Sequence, residues 1–174
     1  MQNKTDTVLI QSTLDGEENA YALLIDRYKT ALYRHCFAVV HDEDVAKDIA
    51  QDAFITAYYK LARFDQSKKF STWLFKIATN KALDTLRKRK HQTALYDEAA
   101  ERIIDPQPTP EIQALYSELF LAVRKLPLKL QISISLFYWQ GLGIATIAEI
   151  MDTNENTVKS WLRRAKEQLR KELR

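Results

Sequence analysis

Residues 64–90, FDQSKKFSTWLFKIATNKALDTLRKRK, gather the residue types that hold polyanions. Phe64 and Phe70 bracket a polar loop of Asp65, Gln66, Ser67, Lys68 and Lys69, and four consecutive cations run from Arg87 to Lys90. Aromatic faces can stack bases while cations neutralise the strand beside them, so this combination suits single-stranded nucleic acid. Helical spacing puts Trp73, Leu74, Ile77, Ala78, Ala82 and Leu86 on one apolar side. It puts Thr72, Lys76, Asn80 and Arg87 together on the other, as a ladder of polar contacts. Trp73 and Phe75 are expected in the core, as aromatics usually are. Phe64 and Phe70 are divided evenly between core and site.

A second basic element lies in IATIAEIMDTNENTVKSWLRRAKEQLRKELR. Ile144, Ile147, Ala148 and Met151 follow an i, i+3, i+4, i+7 pattern, and Asp152-Thr153-Asn154 makes a turn. Val158, Leu162, Ala165, Leu169 and Leu173 then form a narrow apolar arc, with Ser160, Arg163, Arg164 and Lys171 opposite and Lys159 at the margin. This is helix-turn-helix form, whose second helix reads base edges in the major groove from its N-terminal half. Arg and Lys suit guanine O6 and N7, and Ser and Thr suit bases or phosphate.

A third cluster is acidic. Asp42, Glu43, Asp44, Asp48 and Asp52 crowd one segment, and Asp44, Asp48 and Asp52 repeat every four residues beside Gln51. Like charges at that spacing repel by a few tenths of a kcal/mol per pair. A solvated face tolerates this. Nucleic acid would not bind there, but a basic protein partner would.

The elements that must carry these groups read as helices. A short helix runs from Thr5 to Leu14 and stops at Asp15-Gly16. A long helix spans 17–40, with Cys36 on its apolar side. Asp42 is a candidate N-cap for a third helix to about Leu61, with Val45, Ile49, Phe54 and Tyr58 toward the core. Ser71 is the expected cap of the fourth, which runs to about His91. Pro106, Pro108 and Pro110 in an acidic stretch exclude helix there and mark a linker. Helices resume near Glu111, break at Pro127, and lead into the helix-turn-helix. The chain is expected to be all-α, with domains at 1–91 and 113–174 joined by a flexible acidic linker, 92–112. Its 174 residues with 3 Gly and 4 Pro have too few turn formers for an all-β fold.

The net charge is only +3, but it is blocked. Residues 1–53 carry 5 Lys/Arg against 10 Asp/Glu, residues 80–91 carry 5 against 1, residues 92–118 carry 1 against 6, and residues 154–174 carry 7 against 3. Two basic patches on a nearly neutral chain imply two contacts with a polyanion. Cys36 is the single cysteine, so no disulfide framework is expected. His35 and Cys36 point about 100° apart on a helix and do not make a metal pair. No cofactor or metal is expected. Neither a secretory signal nor a run of about 20 apolar residues is evident, which points to a soluble cytoplasmic protein. No phosphate-cradling Gly-rich loop or nucleophile motif suggests an enzyme.

DVAKDIAQDAFITAYYKLARFD, KKFSTWLFKIATNKALDTLRKRK and IATIAEIMDTNENTVKSWLRRAKEQLR, in that order and spacing, resemble the sigma-70 superfamily of bacteria. The resemblance is to its small two-domain extracytoplasmic-function (ECF) group and covers nearly the whole chain. It implies binding to core RNA polymerase and recognition of −10 and −35 promoter elements, with no catalysis. Asp48, Gln51 and Asp52 would face the β′ clamp helices, and the β flap would be a further polymerase contact. Asp65, Gln66, Ser67, Lys68, Lys69 and Phe70 would capture a flipped −10 base, with Lys76, Asn80, Asp84 and Arg87 along the strand. Asn156, Thr157, Lys159, Ser160, Arg163 and Arg164 would contact the −35 duplex, Asn156 also capping its helix. The resemblance also implies control by an anti-sigma factor. The competing reading is a helix-turn-helix regulator acting on duplex DNA without polymerase, which leaves the acidic face and aromatic loop unused.

Overall fold

The structure, a computed structural model, describes residues 4–95 and 118–173. The proline-containing part of the expected linker and the helix start near Glu111 lie outside them. All regular elements among the described residues are helical.

The first domain holds four α-helices, α1 (Asp6–Leu14), α2 (Glu18–Val40), α3 (Glu43–Lys60) and α4 (Phe70–Leu95). Thr5 caps α1 by accepting from the Val8 N–H, and Gly16 at φ 92° turns the chain into α2. Asp42 caps α3, its Oδ1 accepting from the Val45 N–H at 3.0 Å. A short 3₁₀ turn, Leu61–Arg63, leads into the loop before α4. Leu24, Leu32, Ala46, Ala53, Leu74 and Ala78 are among its most buried residues. The small alanines of α3 and α4 allow close helix approach.

The second domain holds α5 (Glu118–Arg124), α6 (Leu128–Ile134), a π turn at Ser135–Trp139, α7 (Ile144–Ile150) and α8 (Glu155–Glu172). Pro127 starts α6, where its missing N–H costs nothing. Gly141 at φ 64° ends the π turn. Ile132, Leu136, Ile147, Ile150, Val158 and Ala165 make the core.

The two domains pack on each other. Helices α2 and α4 meet α6, the π turn and α7. His35 is completely buried at this junction. The Thr79 hydroxyl donates to the Phe75 carbonyl at 2.7 Å, so its oxygen accepts from His35 Nε2 at 2.8 Å. Nδ1 is then left to accept from the Ser135 hydroxyl at 3.3 Å. Burial lowers the His35 pKa to about 4, which keeps the ring neutral. At the other end His41 Nε2 donates to Gln131 Oε1 at 2.9 Å, while the Gln131 amide donates to the Arg124 and Leu126 carbonyls.

Several boundaries differ from the sequence expectation. Helix α4 begins at Phe70, and the Lys69 carbonyl accepts its first bond from the Trp73 N–H. Lys69 therefore holds the cap position, and Ser71 lies inside the first turn. The helix also continues to Leu95, into the segment read as linker. Tyr58 is 52 % exposed rather than in the core, because Ala57 and Leu61 take the inward positions.

Candidate nucleic-acid interface

The loop before α4 is ordered by Asp65. Its Oδ1 accepts from the Ser67 N–H at 3.0 Å and the Ser67 hydroxyl at 2.7 Å, an Asx turn. The Ser67 hydroxyl and N–H hold the Asp65 carboxyl below its usual pKa. Asp65 and Ser67 thus shape the loop, while Gln66, Lys68 and Lys69 project from it, exposed. Phe70 is only 2 % exposed and Phe64 is buried too. Phe64 packs on Trp73 with ring centroids 4.8 Å apart and edge-on to Phe70 at 5.9 Å. These rings form the loop's foundation rather than an open stacking platform, a correction for Phe70. Hydrophobic burial claims an aromatic wherever the polar loop can arch over it.

A cavity of about 350 Å³ lies against this loop, lined by Gln66, Lys68, Lys69 and Phe70, by Tyr28 of α2 and by Asp6 of α1. On α4, Asn80 and Arg87 are exposed and Lys76 is half-buried. Thr72 is not part of the ladder: it is buried at 5 % exposure. Asp84 pairs with Arg87 at 3.0 Å one turn away. Among the cations that follow, Arg89 reaches Asp42 at 3.0 Å and ties α4 to the start of α3.

In the second domain Asn154, not Asn156, caps α8. Its Oδ1 accepts from the Thr157 N–H at 2.8 Å and from the Thr157 hydroxyl at 3.0 Å. Asn156 is exposed in the first turn, and the Thr157 hydroxyl is committed to the cap. Asp152 adopts the left-handed conformation, φ 47°, that the tight turn requires. Lys159, Arg163 and Arg164 are exposed along α8 and Ser160 is half-buried beside them. Arg163 pairs with Glu167 one turn on at 3.0 Å. Leu173 leaves the buried arc and lines a groove of about 620 Å³ with Leu119, Val123, Tyr138 and Trp139.

The domain junction brings the basic loop and α4 of the first domain against acids of the second. Lys76 Nζ lies 2.5 Å from Asp152 Oδ1, in the helix-turn-helix turn. Lys68 Nζ lies 3.1 Å from Glu149 Oε1, on α7. The sequence reading placed Asp152 in the turn and gave Glu149 no role, because pairing across domains leaves no local signal.

On α3 Asp48, Gln51 and Asp52 are exposed together, with Asp52 3.7 Å from Lys81 of α4. Beside them, α2 and α3 enclose a largely apolar groove of about 740 Å³ lined by Tyr33, Gln51, Phe54, Ile55, Tyr58 and Tyr59 among others. Tyr59 is 81 % exposed. The sequence reading missed this groove. Its signal was the Tyr58-Tyr59 pair, because two adjacent helix residues cannot both face inward.

Cys36 is fully buried, and burial pushes its thiol up to about 12, so it is a core residue without thiolate character. No helix among the described residues is long and apolar enough to cross a membrane.

Two helical domains, one ending in a helix-turn-helix and the other bearing a basic loop and helix, define a DNA-binding transcription factor. Residues 24–92 match the family model Sigma-70 region 2, and residues 116–169 match Sigma-70, region 4. The chain is 36% identical to the ECF RNA polymerase sigma factor SigW of Bacillus subtilis, over 95% of each chain. It is 32% identical to the ECF RNA polymerase sigma-E factor of Haemophilus influenzae, over 95% of this chain and 93% of that one. The fold resembles CnrH in complex with the cytosolic domain of CnrY (TM-score 0.76, 23% identity, 97% of this chain and 96% of that one). It also resembles the sigma factor RpoE in complex with the anti-sigma factor NepR from Bartonella quintana (TM-score 0.77, 22% identity, 89% and 97%). The chain belongs to the sigma-70 family and, within it, to the ECF RNA polymerase sigma factors. Its matches to both regions rule out the reading as a free-standing helix-turn-helix regulator, which would need no region 2.

Proposed function

We propose that this sigma factor docks on the β′ clamp helices of core polymerase through Asp48, Gln51, Asp52 and the groove between α2 and α3. The observation that carries this is the groove itself: an exposed apolar surface with Tyr58 and Tyr59 at its edge, beside carboxylates that suit a basic partner. The groove of the second domain around Leu119, Tyr138 and Leu173 is the matching surface for the β flap. The protein supplies specificity and no catalysis of its own, and works in the cytoplasm with the polymerase.

Promoter contact is divided between the domains. Gln66, Lys68 and Lys69 line the mouth of the pocket that takes one extruded −10 base. Lys76, Asn80 and Arg87 track the strand beside it, with Asp84 holding Arg87 in position. Asp65, Ser67 and Phe70 support the loop from within. Lys159, Ser160, Arg163 and Arg164 face the −35 duplex, with Asn156 and Thr157 near the phosphates at the start of α8.

The packed arrangement of the domains is the resting state. Lys68 and Lys76 pair with Glu149 and Asp152 in this arrangement, so promoter DNA competes with those acids and favours parted domains. An anti-sigma factor holds this state, a reading supported by the likeness in fold to RpoE, solved in complex with the anti-sigma factor NepR.

Run-off transcription with core polymerase and a random promoter library tests the whole reading. Start-site selection dependent on this chain is expected. Failure to bind polymerase would remove the docking assignment.

A further inference from the structure

The pocket beside the basic loop has a wall that the loop does not supply. Asp6 and Thr7, from the first turn of α1, line it together with Gln66, Lys69, Tyr28 and Phe70. Asp6 is held from two sides. One carboxylate oxygen accepts from the Arg27 guanidinium, and the other accepts from the Tyr28 hydroxyl at 2.5 Å. Arg27 also donates to the Lys4 carbonyl at 2.6 Å, which pins the start of α1 to α2. Each carboxylate oxygen has a second acceptor position, so Asp6 presents fixed lone pairs at the pocket wall while its other lone pairs are taken.

We propose that Asp6 determines which base the pocket accepts: one whose pairing edge carries an amino group where thymine carries O4, as cytosine does at N4 and adenine at N6, in preference to thymine. This rests on the reading of the pocket as the site of an extruded −10 base. A carboxylate only accepts hydrogen bonds. It suits the N4 amine of cytosine or the N6 amine of adenine, whereas thymine turns its O4 acceptor to the same place. Flipped bases are read in this way, by hydrogen bonds to the pairing edge within a fitted pocket. The ring nitrogen next to either amine is an acceptor, and the Thr7 hydroxyl, the Gln66 amide and the Lys69 ammonium are donors among the lining residues. Lys68 stays at the rim, where flanking phosphates pass. Thymine discrimination then comes from an acceptor placed against an acceptor at the Asp6 wall.

The test uses holoenzyme and the promoter it selects from a random library. A 2-aminopurine placed at each non-template −10 position in turn identifies the extruded base by its fluorescence on opening. If no position responds, base capture itself fails and the inference falls with it. At the responding position, cytosine or adenine should be favoured over thymine by about tenfold in open-complex formation. Asp6→Asn, whose amide can donate to thymine O4, should narrow that ratio to about threefold or less, chiefly by gain on thymine. An unchanged ratio with extrusion intact would overturn the role of Asp6. The wild-type protein gives a second readout that needs no folded variant. Replacing the extruded cytosine by 2-pyrimidinone, or adenine by purine, deletes the amine alone and should cost about tenfold. No loss on that deletion would equally overturn the proposal.

Discussion

Lys76 Nζ lies 2.5 Å from Asp152 Oδ1, so a cation on the −10-facing helix of one domain is neutralised by the turn of the other domain's helix-turn-helix. The Lys68–Glu149 pair at 3.1 Å repeats the arrangement nearby. Exposed ion pairs are each worth about 0–1 kcal/mol, so these select a state and do not lock it. Glu149→Gln with Asp152→Asn is expected to raise the free chain's affinity for a single-stranded −10 oligonucleotide by about two- to tenfold. Asn keeps the left-handed turn at position 152. Fluorescence anisotropy at low salt reads the change; no gain would mean the pairs do not compete with DNA.

His35 makes the packed state sensitive to acid. Its folded pKa of about 4 lies below the ordinary 6.5, so the unfolded or undocked chain binds the proton more readily. The stabilisation is complete above pH 6.5 and declines as pH falls toward 4, to a total of about 3 kcal/mol. His41, lowered by burial, acts in the same direction. Urea unfolding should therefore lose about 2 kcal/mol more between pH 7 and 5 in wild type than in His35→Gln. Parallel pH profiles would remove His35 as the cause.

On the docking face, Asp48→Arg with Asp52→Arg should weaken binding to core polymerase at least tenfold, by about 1.4 kcal/mol or more. Thermal stability should stay within about 0.5 kcal/mol, since both residues are exposed and the Asp52–Lys81 pair is long at 3.7 Å. Tyr59→Ala should cost about 2 kcal/mol of the same affinity if the groove is occupied. A pull-down titration with core enzyme separates the charge effect from the aromatic one.

Arg164→Ala should cost about 1–3 kcal/mol on a −35 duplex if it reads a base. Measuring the loss on the selected −35 sequence and on a scrambled duplex distinguishes the roles. Equal loss on both would assign Arg164 to phosphate.

The cap of α8 gives a comparison of stability alone. Asn154→Ala should destabilise the second domain by about 1 kcal/mol through the lost bond to the Thr157 N–H, while Asn156→Ala should change little. Thermal denaturation of the two variants compares them. Equal effects would contradict the cap at Asn154.

The helices were legible because their signals are local. Asp42 announces the α3 cap, Gly16 the first turn, and the spacing of Val158, Leu162, Ala165 and Leu169 the recognition helix. The acidic face on α3 and the cations on α8 could be named in advance for the same reason, since charge on one face of a helix follows from period alone. Misplacements came where two neighbours could do the same job. Ser71 and Asn156 are both good capping types, and the chain used the Lys69 position and Asn154 because the first carbonyls of α4 and α8 fall there.

The sequence by itself determined the two helical domains, their charge pattern and which face of each helix is polar, because period and capping are properties of neighbouring residues. Tertiary structure decided the rest. It buried Phe70 and Thr72, exposed Tyr58 at a groove, and set Asp6 of α1 into the wall of a pocket built by residues some 60 positions away. It also joined Lys76 to Asp152 and enclosed His35 between Thr79 and Ser135. Burial and ion pairing depend on which surfaces meet, and no spacing along the chain encodes that meeting.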